Sequence, residues 1–271
     1  MIALCAYWHR VVLSKDDLLY ALTYTMNYHS ARSWLVGHAW SLSVEEQFYL
    51  LWPAVVAFGR RRGALRVAAV AVLLAPMVKM STYYLLPSWR PTMGESFQTV
   101  ADTLAVGCLL AIGRDWLKQR GWYVRMLGSK FMLCVPLIIL TTNWLLPHAR
   151  FSWLCGELML NLSIAVGIDW CITYADSGLG RILNMQPLVA IGVLSYSLYL
   201  WQQPFLNPHS NSPIADFPAN VILAFCVAVA SYLFIERPFL MLRSHFSPSA
   251  SPNKESAGVP EALSMANSAA R

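Results

Sequence analysis

The sequence predicts an all-α fold: a polytopic bundle of about seven transmembrane helices, preceded by part of a further helix at the N-terminus. Three observations carry this. Hydrophobic residues make up 57% of the 271 and charged residues only 13%, about half the charged share of an ordinary soluble domain. The apolar residues fall into runs of up to about 20, the length that crosses a hydrocarbon core about 30 Å thick. Eleven Trp and twelve Tyr suit the aromatic belts that form at the two membrane interfaces.

Taken in order, the runs place spans at 40–58, 66–86, 98–113, 131–147, 152–174, 187–206 and 218–236. An earlier apolar piece, Ile2 to Leu13, is too short to cross. It also lacks the basic start and small-residue cleavage site of a signal peptide, and it resembles the far end of a helix whose beginning is missing. Positive charge orients the bundle. With Met1 toward the cytoplasm, the inner loops hold Arg60, Arg61, Arg62, Arg66, Arg114, Lys118, Arg120, Arg125, Lys130, Arg181, Arg237 and Arg243. The outer loops hold only Lys15, Arg32, Arg90 and Arg150. That bias sets the C-terminus in the cytoplasm. Residues 1–243 form the membrane domain. The stretch 244–271 is rich in Ser, Pro and Ala, has no apolar face to bury, and is expected to be a disordered cytoplasmic tail.

The same pattern excludes several function classes. The net charge of +6 follows the loops and forms no basic stripe interleaved with exposed aromatics, so no nucleic-acid partner is expected. Six cysteines stand singly, without a C-x-x-C pair or a His cluster of metal-ligand spacing. They suit packing, and no metal is expected. The sequence has no Gly-rich phosphate loop, no G-x-S-x-G and no internal repeat.

Chemistry must therefore come from ionisable groups in the spans, where each costs about 2.5 kcal/mol or more at the bilayer centre. Glu45 and Glu46 are adjacent within HAWSLSVEEQFYLLWP, from His38 to Pro53. On a helix, Ser41, Glu45, Phe48 and Trp52 share a face with His38 near it, and Glu46 points about 100° away. His38, Ser41 and Glu45 can then converge on one hydroxyl, with a carboxylate in apolar surroundings able to hold or accept a proton near neutrality. A second reading fits the same residues. Ser43-Val44-Glu45-Glu46 matches a capping box, with Ser43 as N-cap, Glu46 reaching back to it and Glu45 merely favouring the helix start.

Lys79 lies about 10 Å from the outer end of its helix. It is deep enough to pair with a carboxylate, though its stem can also snorkel. Asp102, Glu157 with Asn161, and Gln202 with Gln203 fall in the outer portions of their helices, as Glu45 and Glu46 do. Only Asp169, and Glu236 at the boundary, lie on the inner side. The asymmetry predicts a polar chamber opening outward, although helix ends also tolerate idle polar residues.

These segments carry a resemblance. HAWSLSVEEQFYLLWP resembles the W-S-L-x-V-E-E-Q-F-Y-L-x-x-P signature of acyltransferase family 3, the integral-membrane O-acyltransferases of bacterial surface carbohydrates. DDLLYALTYTMNYHS is similar to the segment that precedes that signature. LNMQPLVAIGVLSYSLYLWQQPF, from Leu183 to Phe205, resembles the late S-Y-S-L-Y-L-W-x-x-P helix, and SYLFIERPFL, from Ser231 to Leu240, the closing E-R-P motif. The resemblance runs from near Asp16 to Arg243.

It implies a multi-pass protein of the bacterial cytoplasmic membrane that moves an acyl group, most readily acetyl, to a hydroxyl of a surface carbohydrate. The donor it implies is acetyl-CoA or a similar acyl-CoA used as co-substrate, with no cofactor bound. Glu45, His38 and Glu46 become the candidate catalytic residues, and Ser41, Lys79, Asp102, Tyr196 and Gln202 the candidate substrate contacts.

Two departures accompany it. The histidine and the R-x-x-R element of the family's first helices have no counterpart. Val100 also stands where the family commonly carries an Arg two places before the aspartate matched by Asp102. The expectation is a domain lacking the family's first helices, and hence a chain that alone is an inactive fragment. The alternative is a non-catalytic membrane protein, a transporter-like bundle or a partner subunit. Transport predicts inverted repeats, which the sequence does not show.

Overall fold

The structure is a computed structural model that describes residues 13–145, 151–207 and 215–246. Among them every regular element is helical. The apolar piece from Ile2 lies outside the described residues up to its last member, and the tail lies outside them from 247.

Helix α1 (Lys15–Leu22) starts with reciprocal capping: Ser14 Oγ accepts from the Asp17 amide, and the Asp17 carboxylate accepts from the Ser14 amide at 3.0 Å. Asp17 is almost fully buried. It also accepts from the Ser33 amide at 3.0 Å and lies 3.2 Å from His29 Nε2, which ties the loop before the next helices to α1. Burial pushes its carboxyl up, but the hydrogen bonds from Ser33 and Ser14 and the neighbouring His29 outweigh this and hold it below its ordinary value.

A single turn, α2 (Trp34–Gly37), leads into α3 (Ala39–Leu85). An unbroken 47-residue helix would be about 70 Å long. The chain instead leaves helical geometry at Arg60, where φ is 53° and ψ −171°. A side-chain carbon at Gly59 would come within 3.2 Å of the Ala64 amide nitrogen, so the turn is tight. Trp52, eight residues before the break, packs on the cluster of Ala68, Val72, Ala105, Val106 and Ala165. On a straight helix Trp52 and Ala68 would be about 24 Å apart. The two halves of α3, 39–59 and 61–85, therefore fold back on each other at Arg60.

The second half buries Ala64, Ala68, Val72, Ala75, Lys79 and Thr82, a stripe at spacings of three and four along one face. Its small residues admit the backbone of α4 (Phe97–Lys118). Helices α5 (Gly121–Leu127) and α6 (Val135–Leu145) follow, then a π-turn at Ser152–Gly156 leading into α7 (Glu157–Thr173). After a short α8 (Gly178–Leu183), α9 (Gln186–Phe205) packs along α10 (Ala219–Ser231). A second π-turn at Tyr232–Glu236 joins α10 to α11 (Arg237–Phe246).

Each predicted span is helical over nearly all of its described part. Among the described residues three helical stretches are long and apolar enough to cross a membrane: Trp34–Leu85, which includes the break at Arg60, Ser152–Thr173 and Ala219–Arg243. The pair Gly121–Leu127 and Lys130–Leu145, bent by 56°, makes a fourth when counted as one span. Helices α4 and α9 have span length but dilute their apolar runs with polar residues such as Asp102, Arg114, Gln202 and Gln203. The exterior is apolar, with Phe58, Leu50 and Phe234 each at least 80% exposed, as lipid-facing residues are.

Two local expectations are corrected. Helix α3 starts at Ala39, so Ser43 is no N-cap and Glu46 closes no capping box. The α2 turn feeds helical geometry through His38, and Ser43 is buried within the first turns. Its hydroxyl donates to the Ala39 carbonyl and accepts from the Met26 amide at 3.2 Å. At the other end, α11 runs through Phe246, into the stretch expected to be disordered from 244.

Candidate functional site

The most unusual polar group lies where α2 meets α3. His38 takes the N-cap position in helical geometry, with φ −62° and ψ −20°, and is 91% buried, its relative exposure being 9%. Among the described residues neither ring nitrogen has a partner in full hydrogen-bond geometry, although the Leu200 backbone comes close enough for a weak contact of that kind. A buried polar group without a partner forfeits about 1–3 kcal/mol, and such groups concentrate where a visiting molecule completes them.

Tyr199 of α9 holds this corner. Its hydroxyl donates to the His38 carbonyl at 2.5 Å, which leaves it to accept the Ser41 hydroxyl proton, also at 2.5 Å. Its ring meets the His38 ring edge-on, with centroids 5.2 Å apart. Two helices distant in sequence thus fix the backbone and ring plane of one histidine. The imidazole borders a cavity of about 400 Å³ with Arg32, Trp34, Trp40 and Gln203. The Gln203 amide nitrogen donates to the Trp34 carbonyl at 2.9 Å. Arg32 is held at the rim by an ion pair with Glu95 and a hydrogen bond to the His29 carbonyl.

The two glutamates are exposed. Glu45 sits one turn beyond Ser41, and its charge acts on both Tyr199 and Tyr196. Glu46 lines a separate cavity of about 430 Å³ with Tyr24, Gln47 and Tyr49. The structure therefore brings His38 and Ser41 together and leaves Glu45 beside them, while Glu46 turns to another side. Tyr196 is half exposed, and neither it nor Gln202 makes a side-chain hydrogen bond among the described residues. Tyr199 and Gln203 reach the His38 corner instead. Residues 196, 199 and 203 follow helical spacing, so the sequence pointed to this face of α9 but not to its innermost members.

Lys79 and Asp102 lie in a second cluster. Lys79 is 2% exposed, with Nζ 2.9 Å from Asp102 Oδ2 and 2.5 Å from Glu157 Oε2. The Ser152 hydroxyl donates to the other Glu157 oxygen at 3.4 Å, and Asp102 Oδ1 is buried without a partner among the described residues. The ammonium expected to seek a carboxylate thus binds two, and joins α3, α4 and the start of α7. It is enclosed by its partners, and the geometry fits a helix tie better than a substrate contact.

A third cluster escaped the sequence reading. Asp169 is fully buried and accepts from Arg114 Nε at 2.5 Å and the Tyr123 hydroxyl at 2.7 Å. Asp169 stood out as the one inner carboxylate, but Arg114 looked like an ordinary loop charge. Similarly, buried Ser197 donates to Glu236 of the E-R-P segment at 2.8 Å. Among the described residues no group of three His, Cys, Asp or Glu side chains is placed to hold a metal ion.

Comparison with known proteins gives a consistent picture. A family model described as an acyltransferase domain matches residues 1–236. The chain is 30% identical over 217 residues to a putative peptidoglycan O-acetyltransferase, YrhL, of Bacillus subtilis, covering 73% of this chain and 34% of that protein. It is 28% identical over 213 residues to the O-acetyltransferase OatA of Staphylococcus aureus, with 74% and 35% covered. To the peptidoglycan O-acetyltransferase OatA of Listeria monocytogenes it is 27% identical over 219 residues, with 73% and 34% covered. The matched part spans about a third of the length of each of these relatives. No solved structure matches.

Proposed function

Because the chain belongs to the acyltransferase-domain family, we propose that it takes part in moving an acyl group, most readily acetyl, to a hydroxyl of an envelope carbohydrate such as peptidoglycan. The donor in this reading is a thioester on the cytoplasmic side, acetyl-CoA or a similar acyl-CoA. The bundle crosses the cytoplasmic membrane seven times with its C-terminus inside, as the loop charges favour. The relatives named as peptidoglycan O-acetyltransferases support the acceptor class.

The observation that carries the reading is the buried, unpartnered imidazole of His38 at the edge of a cavity. In its neutral form His38 takes the proton of the acceptor hydroxyl as the oxygen attacks the thioester carbonyl. The C–O bond forms, the C–S bond breaks, and the proton leaves with the thiolate. Tyr199 and Ser41 are positioning residues that fix the His38 backbone and ring. Glu45, exposed beside them, steadies the imidazolium that forms during transfer. Trp34 and Trp40 offer flat apolar faces to a sugar ring, and Arg32 and Gln203 offer donors to its oxygens. Glu46 lies outside this group.

The test is His38→Ala introduced at the chromosomal locus, which keeps the protein in its native context, with alkali-labile acetate measured on the envelope carbohydrate. Acetate should fall to the level of a deletion strain while the protein remains in the membrane. Acetate at the parental level would reject the role given to His38.

A further inference from the structure

We infer that the cavity at the inner end of the folded-back α3 is a binding site for the headgroup of an anionic phospholipid. The inference rests on the orientation proposed above, which puts this end at the cytoplasmic leaflet. The cavity, about 610 Å³, lies between the Arg60 break and the end of α4. Arg61, Arg62, Asp115 and Trp116 line it, and Leu65, Leu109 and Ile112 give it an apolar wall.

Three features make it more than a run of charge. The left-handed φ at Arg60 reverses the chain, so Arg61 and Arg62 stand at the very start of the second half of α3, at the tight turn. Arg61 is fixed there: it donates to the Ile112 carbonyl at 2.8 Å and lies 3.8 Å from Asp115, with further N–H groups of its planar fork left to donate. Arg62 is exposed and its side chain has no partner among the described residues. Two guanidinium groups at such a mouth match the geometry of a phosphodiester.

The apolar wall decides what carries the phosphate. Leu65 is exposed on the helix surface, and half-buried Ala69 and exposed Leu73 continue its side of the helix over the next two turns, a path that an acyl chain can follow. Trp116, covered by the Arg120 guanidinium at 4.4 Å from its ring centre, stands where interfacial tryptophans stand. A soluble phosphate would use only the mouth. Anionic lipids, by contrast, enrich the cytoplasmic leaflet and favour basic side chains just inside it.

The chain is reconstituted in phosphatidylcholine vesicles with a minor fraction of phosphatidylglycerol and then re-extracted in mild detergent, and the phosphatidylglycerol retained is measured by mass spectrometry. Both leaflets are sampled, so the result does not depend on orientation, and His38 is untouched. The protein should retain phosphatidylglycerol. Arg61→Gln with Arg62→Gln should weaken retention about thirty-fold, roughly fivefold for each cation. Arg125→Gln with Arg181→Gln removes the same charge elsewhere on the inner side and should leave retention nearly unchanged. If the double variant at the cavity fails to fold, Arg62→Gln alone, which breaks no internal bond, should still lose about fivefold. Equal loss in both double variants, or displacement of the lipid by inorganic phosphate, would overturn the proposal.

Discussion

Among the described residues every charged atom around Lys79 but Asp102 Oδ1 has a partner, whereas around His38 both ring nitrogens are left without one. Both clusters are buried in an apolar bundle and both join helices far apart in sequence. Lys79 joins α3 to α4 and α7, and Tyr199 joins α9 to the start of α3. Yet one is closed by its own members and the other borders a cavity of about 400 Å³. A closed cluster of opposite charges repays desolvation internally, and its removal is felt as lost stability. An open one keeps its hydrogen-bonding capacity for a group that arrives, and its removal is felt as lost chemistry.

The largest expected effect is at the closed cluster. Lys79→Met strands two carboxylates and should cost about 3–5 kcal/mol of stability, measured by reversible unfolding in bicelles. Replacing Lys79, Asp102 and Glu157 together by apolar residues of similar size should recover most of that loss. If the triple variant is as unstable as the single one, the cluster is not a self-contained tie.

Next comes the frame of the open cluster. Tyr199→Phe frees the His38 carbonyl and the Ser41 hydroxyl at once and should cost about 1–3 kcal/mol of stability. Acyl transfer should fall further than the folded fraction does. Proportional losses of the two would make Tyr199 a packing residue only.

Asp17 gives a smaller, pH-dependent effect. Its carboxyl titrates below the ordinary value of 3.8 in the folded protein. The stability it contributes is therefore fully present above that value and is lost as pH falls through the folded one. Asp17→Asn should lower stability at neutral pH by about 0.5–2 kcal/mol, the range of a lost cap, and the gap from the parent should close in acid. A constant gap down to low pH would contradict the assignment.

Smallest is Glu46→Gln. With Glu46 exposed and outside any cap, stability should change by no more than about 0.5 kcal/mol and acyl transfer should persist. Loss of transfer in this variant would move the site from the His38 cavity to the one that Glu46 lines.

The contrast between the clusters also separates what the sequence could show from what it could not. Hydropathy runs located the helices because each must bury or present a continuous apolar surface, and Gly59-Arg60 fell between two of those runs. Lys79 was marked by depth alone: an ammonium that far from an interface needs a carboxylate, and the outer carboxylates included both of its partners. The cap at Ser43 failed because the helix start is set by the Trp34–Gly37 turn and by Met26, whose amide uses the serine hydroxyl. Tyr196 and Tyr199 share helical spacing, and only the approach of His38, 161 residues away, distinguishes them. Asp169 found its arginine among residues counted as loop charge. Apart from the cap, each miss is a partner supplied from another helix, where local periodicity carries no information.

The central claim is that the open imidazole of His38 does the proton transfer, and chemical rescue tests it most directly. Membranes from a strain carrying His38→Ala are supplied with acyl donor and acceptor glycan, and acetyl ester formation is followed with and without added imidazole. The account predicts a loss of about 10²–10⁴-fold, the range of a general base, and partial recovery as imidazole enters the vacated cavity, growing with the fraction in its neutral form. Full activity of His38→Ala without imidazole would contradict the account, as would a loss that imidazole cannot restore although the variant remains folded.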